Sequence, residues 1–220
     1  MTNYRKKSQT IWEIENSFYL KSDKSRINKV ICHYEIFKKI LKTPGSIVEC
    51  GVFKGISLIR FLTFRDLYGQ TLKKKIIGFD VFGKFPEQFI KEDDNFAKNH
   101  NLNTGLGYPI KLLKEYLKKK KFKNFELIKG KVEDTLQKYL KKNKSLKISL
   151  LHLDLDVYEP TAFALSTLYS KVSKNGLILI DDYRQVKGAT KATDKFLKKH
   201  KHLKIERLSF DKRLFFIRKT

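Results

Sequence analysis

The sequence predicts an α/β fold built on a doubly wound, mostly parallel sheet with an antiparallel C-terminal end. Three observations predict it. Short apolar runs recur along the chain, and each of the first five is followed by a segment with helical spacing. The last two runs follow one another with no helix between them, which suits an antiparallel pair. No internal repeat and no Pro/Gly/Ser-rich linker interrupts the alternation, so one domain is expected.

Each element has a local reason. Residues 25–42, "SRINKVICHYEIFKKILK", carry apolar residues at helical spacing, with Ser25 as candidate N-cap. "SIVEC" (46–50) is a buried strand, and "SLIRFLTFRDLYG" (57–69) a helix ending at Gly69. "KIIGFD" (75–80) is the second strand. Residues 83–107 read as irregular, rich in acids and Asn. A helix over 110–120 leads to a third strand, "FELIKG" (125–130), and a helix over 132–142. "KISLLHLD" (147–154) is the fourth strand. The next helix, 160–172, opens with Pro160, which a first turn tolerates because its N–H groups lack partners anyway. "GLILIDD" (176–182) is the fifth strand, 188–200 a helix, and 203–209 and 213–219 the closing strands.

The chain has 220 residues, 41% of them hydrophobic, which suits one α/β domain with an ordinary core. Residues 1–25 read as an N-terminal arm or lid and 26–220 as the domain. The aromatic residues of "TIWEIENSFYL" suit a lid or a contact in a homo-oligomer. No window approaches the roughly 20 apolar residues of a membrane span. The opening residues lack an apolar h-region, so no signal peptide is expected. Cys32 and Cys50 are the only cysteines and form neither a disulfide framework nor a CxxC zinc pair. A reducing, cytoplasmic setting is the expectation. The net charge of +25 leaves two readings. Lysine-rich solvated helix faces, as in "LKKKKFKNF", are the plainer one; a footprint for a polyanion or phosphorylated substrate is the other.

Ligands on doubly wound sheets bind beyond the carboxyl ends of the strands, so the strand ends carry the functional signal. The first strand runs into "VECGVFKGISL", where Glu49, Gly51 and Gly55 precede a helix. The E-x-G-x-x-x-G spacing allows a tight turn and close ligand approach but departs from the dinucleotide fingerprint. The second strand ends at Asp80, placed to bind a ribose diol or to cap a turn. Glu133 and Asp134, after the third strand, suit the first turn of a helix. The fourth strand ends in Asp154 and Asp156, and the fifth in Asp181 and Asp182. On neighbouring parallel strands these ends lie about 5 Å apart. Four carboxylates at one rim repel unless a cation intervenes, and oxygen-only ligands suit Mg²⁺. The plainer alternative is helix caps paired with nearby lysines. His152 is as well explained as a satisfied core histidine, and Tyr158 and Tyr183 as packing residues.

The motifs "GSIVECGVFKGISL", "IIGFDVFGKFP", "LIKGKVEDTL", "LHLDLDVYEPT", "GLILIDDY" and "GATKATDKF" appear in the order found in the macrocin O-methyltransferase-like family, which this chain resembles from about Arg26 to Phe196. The resemblance implies a Rossmann-like class I methyltransferase sheet and an S-adenosylmethionine-dependent, Mg²⁺-dependent sugar O-methyltransferase. Glu49, Gly51 and Gly55 would line the methionine part of the cofactor, and Asp80 would hold its ribose. Asp154, Asp181 and Asp182 would ligate Mg²⁺, and Asp154 or Asp156 would accept the proton. The implied acceptor is a small-molecule sugar, nucleotide-linked or glycoside-bound. Another diol or catechol-like acceptor is the alternative. A nucleic-acid methyltransferase is disfavoured, because no (D/N)PP(Y/F) motif follows the fourth strand and no RNA-binding module is appended. Leu155 stands where family members more often carry a small residue.

Overall fold

A computed structural model describes residues 9–220; the first eight residues of the expected arm lie outside it. The chain runs α1 (Ile11–Lys21), α2 (Lys24–Lys39), β1 (Ser46–Cys50), α3 (Ile56–Leu67), β2 (Ile76–Asp80), α4 (Lys91–Thr104), α5 (Ile110–Lys119), β3 (Phe125–Lys129), α6 (Val132–Lys142), β4 (Ile148–Leu153), α7 (Tyr158–Leu168), a 3₁₀ turn (Tyr169–Lys171), β5 (Val172–Ile180), α8 (Lys187–Lys199), β6 (Ile205–Arg207) and β7 (Phe215–Arg218).

The seven strands form one sheet in the order β3-β2-β1-β4-β5-β7-β6. β1 to β5 are parallel, and β7 inserts antiparallel between β5 and β6. The order reverses between β1 and β4, so a crevice opens beyond their carboxyl ends. Helices cover both faces, which is why the central strands are buried on both sides and mostly apolar rather than alternating. Ile47, Leu150 and Leu177 face α2, α3 and α5; Val48, Leu151 and Ile178 face α6, α7 and α8. Each fully buried leucine or isoleucine contributes roughly 2 kcal/mol.

Three local details differ from the sequence expectation. α2 starts two residues earlier than a Ser25 N-cap implies, because Asp23 is the N-cap and accepts the Ser25 N–H. α7 starts at Tyr158, which puts Pro160 third in the helix, still within the first turn. Residues 91–104, expected to be irregular, form α4. Only Asp93 and Ala97 are buried there, so no apolar periodicity announced it; Glu92, Asp93 and Asp94 in its first turn favour the helix through the macrodipole. In the arm, a Thr10–Glu13 capping box starts α1, which buries none of its residues.

Lys74 is buried, with Nζ donating to the Thr43 carbonyl at 2.6 Å. Burial pushes its pKa down from 10.5 to about 8. Between those values the unfolded chain binds more protons than the folded one, so stability rises with pH. Relative to a Lys74→Met variant, wild type is expected to gain about 3 kcal/mol between neutral pH and pH 10.5. Urea denaturation of both proteins across this range checks it.

Candidate active site

Beyond the carboxyl ends of the strands lies a cavity of about 900 Å³. Its floor is the set of turns that follow β1, β2, β3 and β4; α4 and the loop before it form one wall, and α7 and α8 another. Non-glycine residues with left-handed backbone recur at its floor: Phe53 after β1, Phe82 after β2 and Asp156 after β4. For a phenylalanine this conformation is an outlier, and such strain collects where a turn must present groups to a ligand.

Asp80 accounts for two of these turns. Its Oδ2 accepts the N–H groups of Val52 (2.7 Å) and Phe53 (2.9 Å), and its Oδ1 accepts the Phe82 N–H (2.5 Å). One carboxylate at the tip of β2 thus fixes the loops after β1 and β2 together. An ionised carboxylate offers about four acceptor positions, so one remains. Gly51 has φ +90°, and a Cβ there would stand 1.7 Å from the Asp154 carbonyl oxygen. Only glycine lets the β1 turn pass this close to the end of β4. Gly55 is the left-handed N-cap of α3, and Leu113 fills the space its side chain would take.

Asp154, Asp156 and Asp182 each bring a carboxylate oxygen within 4.8 Å of the other two. The Asp156 N–H donates to Asp182 Oδ2, which ties the ends of β4 and β5. Burial, then the neighbouring carboxylates, push Asp156 up to about 8 and hold Asp154 and Asp182 well above the usual carboxylate range. This oxygen-only set fits a hard divalent cation, which would relieve the repulsion.

Asp181, the fourth strand-end acid, has partners of its own. Its Oδ2 accepts from Lys29 Nζ at 2.5 Å, and its Oδ1 lies 3.9 Å from His152 Nε2. Burial alone would raise its pKa, but His152 and Lys29 outweigh burial and hold it below the usual range. Behind it runs a buried polar chain. Glu49 and His152 are register partners on β1 and β4, 3.1 Å apart from Oε1 to Nδ1, and the Ser57 hydroxyl donates to the same Glu49 oxygen. Burial opposes the His152 imidazolium, yet Asp181 and Glu49 lift it to about 10. His33, stacked on Phe61, closes the chain; burial, then the His152 charge, hold it neutral. Its two ring nitrogens and Glu49 Oε2 have no hydrogen-bond partner among the described residues.

Of the residues singled out in the sequence, Gly51, Asp80, Asp154 and Asp156 line the cavity. Glu49, Gly55, Asp181 and Asp182 stand behind its wall. Tyr158 lines it, whereas the Tyr183 hydroxyl donates to Asp194 and its ring packs on Phe215. Glu133 and Asp134, read as first-turn acids of a helix, are both that and cavity lining. Sequence reasoning missed Lys29 and His33; nothing in their local pattern marks them, because their partners come from β4 and from the residues that follow β5.

The strand order, the single antiparallel strand β7 and the crevice beyond β1 and β4 define a class I methyltransferase-type fold. The chain belongs to the macrocin-O-methyltransferase (TylF) family, whose profile matches residues 24–219. It is 28% identical over 149 residues to an 8-demethyl-8-(2,3-dimethoxy-α-L-rhamnosyl)-tetracenomycin-C 4'-O-methyltransferase of Streptomyces olivaceus, covering 64% of this chain and 53% of that protein. It is 26% identical over 160 residues to the demethyldecarbamoylnovobiocin O-methyltransferase of Streptomyces niveus, covering 70% of this chain and 58% of that one. The match therefore spans little more than half the length of these curated relatives. Among solved structures, the calicheamicin methyltransferase CalS11 superposes with a TM-score of 0.79 at 23% identity, over 97% of this chain and 87% of its own. The O-methyltransferase NovP gives 0.75 at 20% identity, over 88% and 80%. These likenesses show a shared fold.

Because Asp80 holds two loops through backbone N–H groups, Asp80→Asn is expected to destabilise the ligand-free protein by about 2 kcal/mol. An aspartate that only waited for a ligand would leave ligand-free stability unchanged. Chemical denaturation without ligand tells these apart.

Proposed function

We propose that the chain transfers a methyl group from S-adenosylmethionine to a hydroxyl of a sugar, with Mg²⁺ held at the acidic rim. The observation that carries the reading is the rim itself: Asp154, Asp156 and Asp182, oxygen-only and mutually repelling, beside a cavity of about 900 Å³. The family is that of an O-methyltransferase, and one matched structure is described as a TDP-rhamnose 3'-O-methyltransferase. A nucleotide-linked or glycoside-bound deoxysugar is the acceptor assigned here.

The nucleoside of the cofactor is assigned to the turns after β1, β2 and β3. Gly51 admits it to the backbone, Asp80 offers its remaining acceptor position to the ribose, and Gly130, Glu133 and Asp134 flank the base. Its methionine part is assigned to the β1 turn, in front of Glu49, whose Oε2 has no hydrogen-bond partner among the described residues. The acceptor takes the side formed by Asp156, Tyr158 and Lys195.

Asp154 and Asp182 would hold Mg²⁺, with Asp181 as third ligand once Lys29 leaves it. The bound ion supplies Lewis-acid polarisation of the acceptor diol, which lowers the pKa of the hydroxyl attacked. Asp156 is the group that accepts the hydroxyl proton, because it both lines the cavity and adjoins the other carboxylates. The methyl group already sits on a sulfonium, so the remaining work of the chain is alignment of donor and acceptor.

Calorimetric titration tests the reading. S-adenosylhomocysteine is expected to bind wild type and the Asp181→Asn/Asp182→Asn variant alike, whereas Mg²⁺ binds only wild type. Absence of S-adenosylhomocysteine binding to wild type would sink the proposal. With an accepted sugar substrate, Asp156→Asn is expected to lower kcat by about 10²-fold or more while leaving cofactor affinity in place. Single-turnover methyl transfer measures this.

A further inference from the structure

Lys29 sits on the second turn of α2, and its Nζ lies 2.5 Å from Asp181 Oδ2. Among the described residues, no other lysine or arginine is in ion-pair contact with Asp154, Asp156, Asp181 or Asp182. The ammonium lies near three of these carboxylates, Asp154, Asp181 and Asp182. Its side chain is 36% exposed, so the head group has a path to solvent along its flexible stem. A strongly basic chain thus places one flexible cation beside a cluster of four strand-end acids.

We propose that Lys29 is the resident counter-cation of the acidic rim, and that a divalent ion binds there by exchange with it. The inference rests on the rim being a metal site, as argued above. In the metal-free protein Lys29 neutralises Asp181 and keeps the end of β5 in place. When the ion arrives, Asp181 Oδ2 is freed only if the ammonium swings out towards solvent. Lys29 therefore sets the affinity of the rim for its ion and makes metal loading a reorganisation of α2 as well as of the strand ends. The role is one of positioning and tuning; Lys29 touches no reacting atom.

Three proteins decide the matter: wild type, Lys29→Met, which keeps the apolar stem and loses the charge, and Lys29→Arg, which keeps the charge. Mg²⁺ and Mn²⁺ are titrated calorimetrically into each, and the melting temperature is followed with and without the ion. The expected result is at least tenfold tighter ion binding by Lys29→Met than by wild type, with Lys29→Arg close to wild type. Ion-free Lys29→Met should melt lower than wild type and regain more on adding Mg²⁺. If wild type binds the ion and Lys29→Met binds it no more tightly, the exchange is refuted while the metal site stands. If none of the three binds either ion, both are refuted. S-adenosylhomocysteine titrated into the same samples reports separately on the cofactor site, and its binding also certifies that each variant is folded.

Discussion

Repulsion among buried carboxylates is the constraint on which the rest of this structure turns. Two like charges 4 Å apart in a partly enclosed site cost about 4 kcal/mol at an effective dielectric constant of 20. Three oxygens of Asp154, Asp156 and Asp182 lie within 4.8 Å of one another, and Asp181 adjoins them. Without a cation at the rim, the fold divides the burden. Asp181 stays ionised against Lys29 and His152, while the other three are pushed towards their protonated forms. The four strand-end acids thus do not share one environment. Asp181 and Asp182 follow β5 in a turn and meet different partners, Lys29 and His152 for Asp181 and the Asp156 N–H for Asp182. The plainer reading, acids paired with lysine, holds at Asp181 and is not seen at the other three.

The buried chain behind the rim follows from sheet register. Glu49 opposes His152 because β1 and β4 are parallel neighbours, and both side chains face α2 and α3. A charged pair in that layer needs further partners, which Ser57 and Asp181 supply. The same strands bring Gly51 against Asp154. The β1 turn and the acidic rim therefore form one mechanical unit: a shift of β4 against β1 would disturb both. Asp80 extends the unit to β2 by holding the backbone of both neighbouring loops.

How far the sequence revealed this depended on whether the relevant physics was local. β1 was legible to the residue because "SIVEC" is apolar, short and bounded by turn residues. The acid pairs after β4 and β5 were legible because a carboxylate at the end of an apolar run is costly without a partner. α4 was not, because a helix that buries two residues leaves no periodic signal. Lys29 was not, because its contact with Asp181 spans 152 positions and one lysine among so many carries no mark. The double duty of Asp80 was half legible. Its position at the tip of β2 suggested ribose or a cap, but its backbone partners appear only once the β1 turn is folded over it.

The net charge of +25 is best understood through where it is not. Lysines close the last turns of α5, α6 and α8, where they meet the negative end of the helix dipole and solvent. The cavity has the opposite character: seven acidic side chains and three lysines line it. A site evolved for a polyanion would carry the basic excess into its walls. This one reverses the sign of the surface around it. A sulfonium, an ammonium and a divalent ion are all cations, and an acidic cavity lowers the energy of each. The three lysines, Lys131, Lys195 and Lys199, lie at the helix ends and on α8 rather than among the strand-end acids, so they leave that field intact. The charge of the whole chain and the charge of its site are thus separate properties, and the site is the one that bears on chemistry.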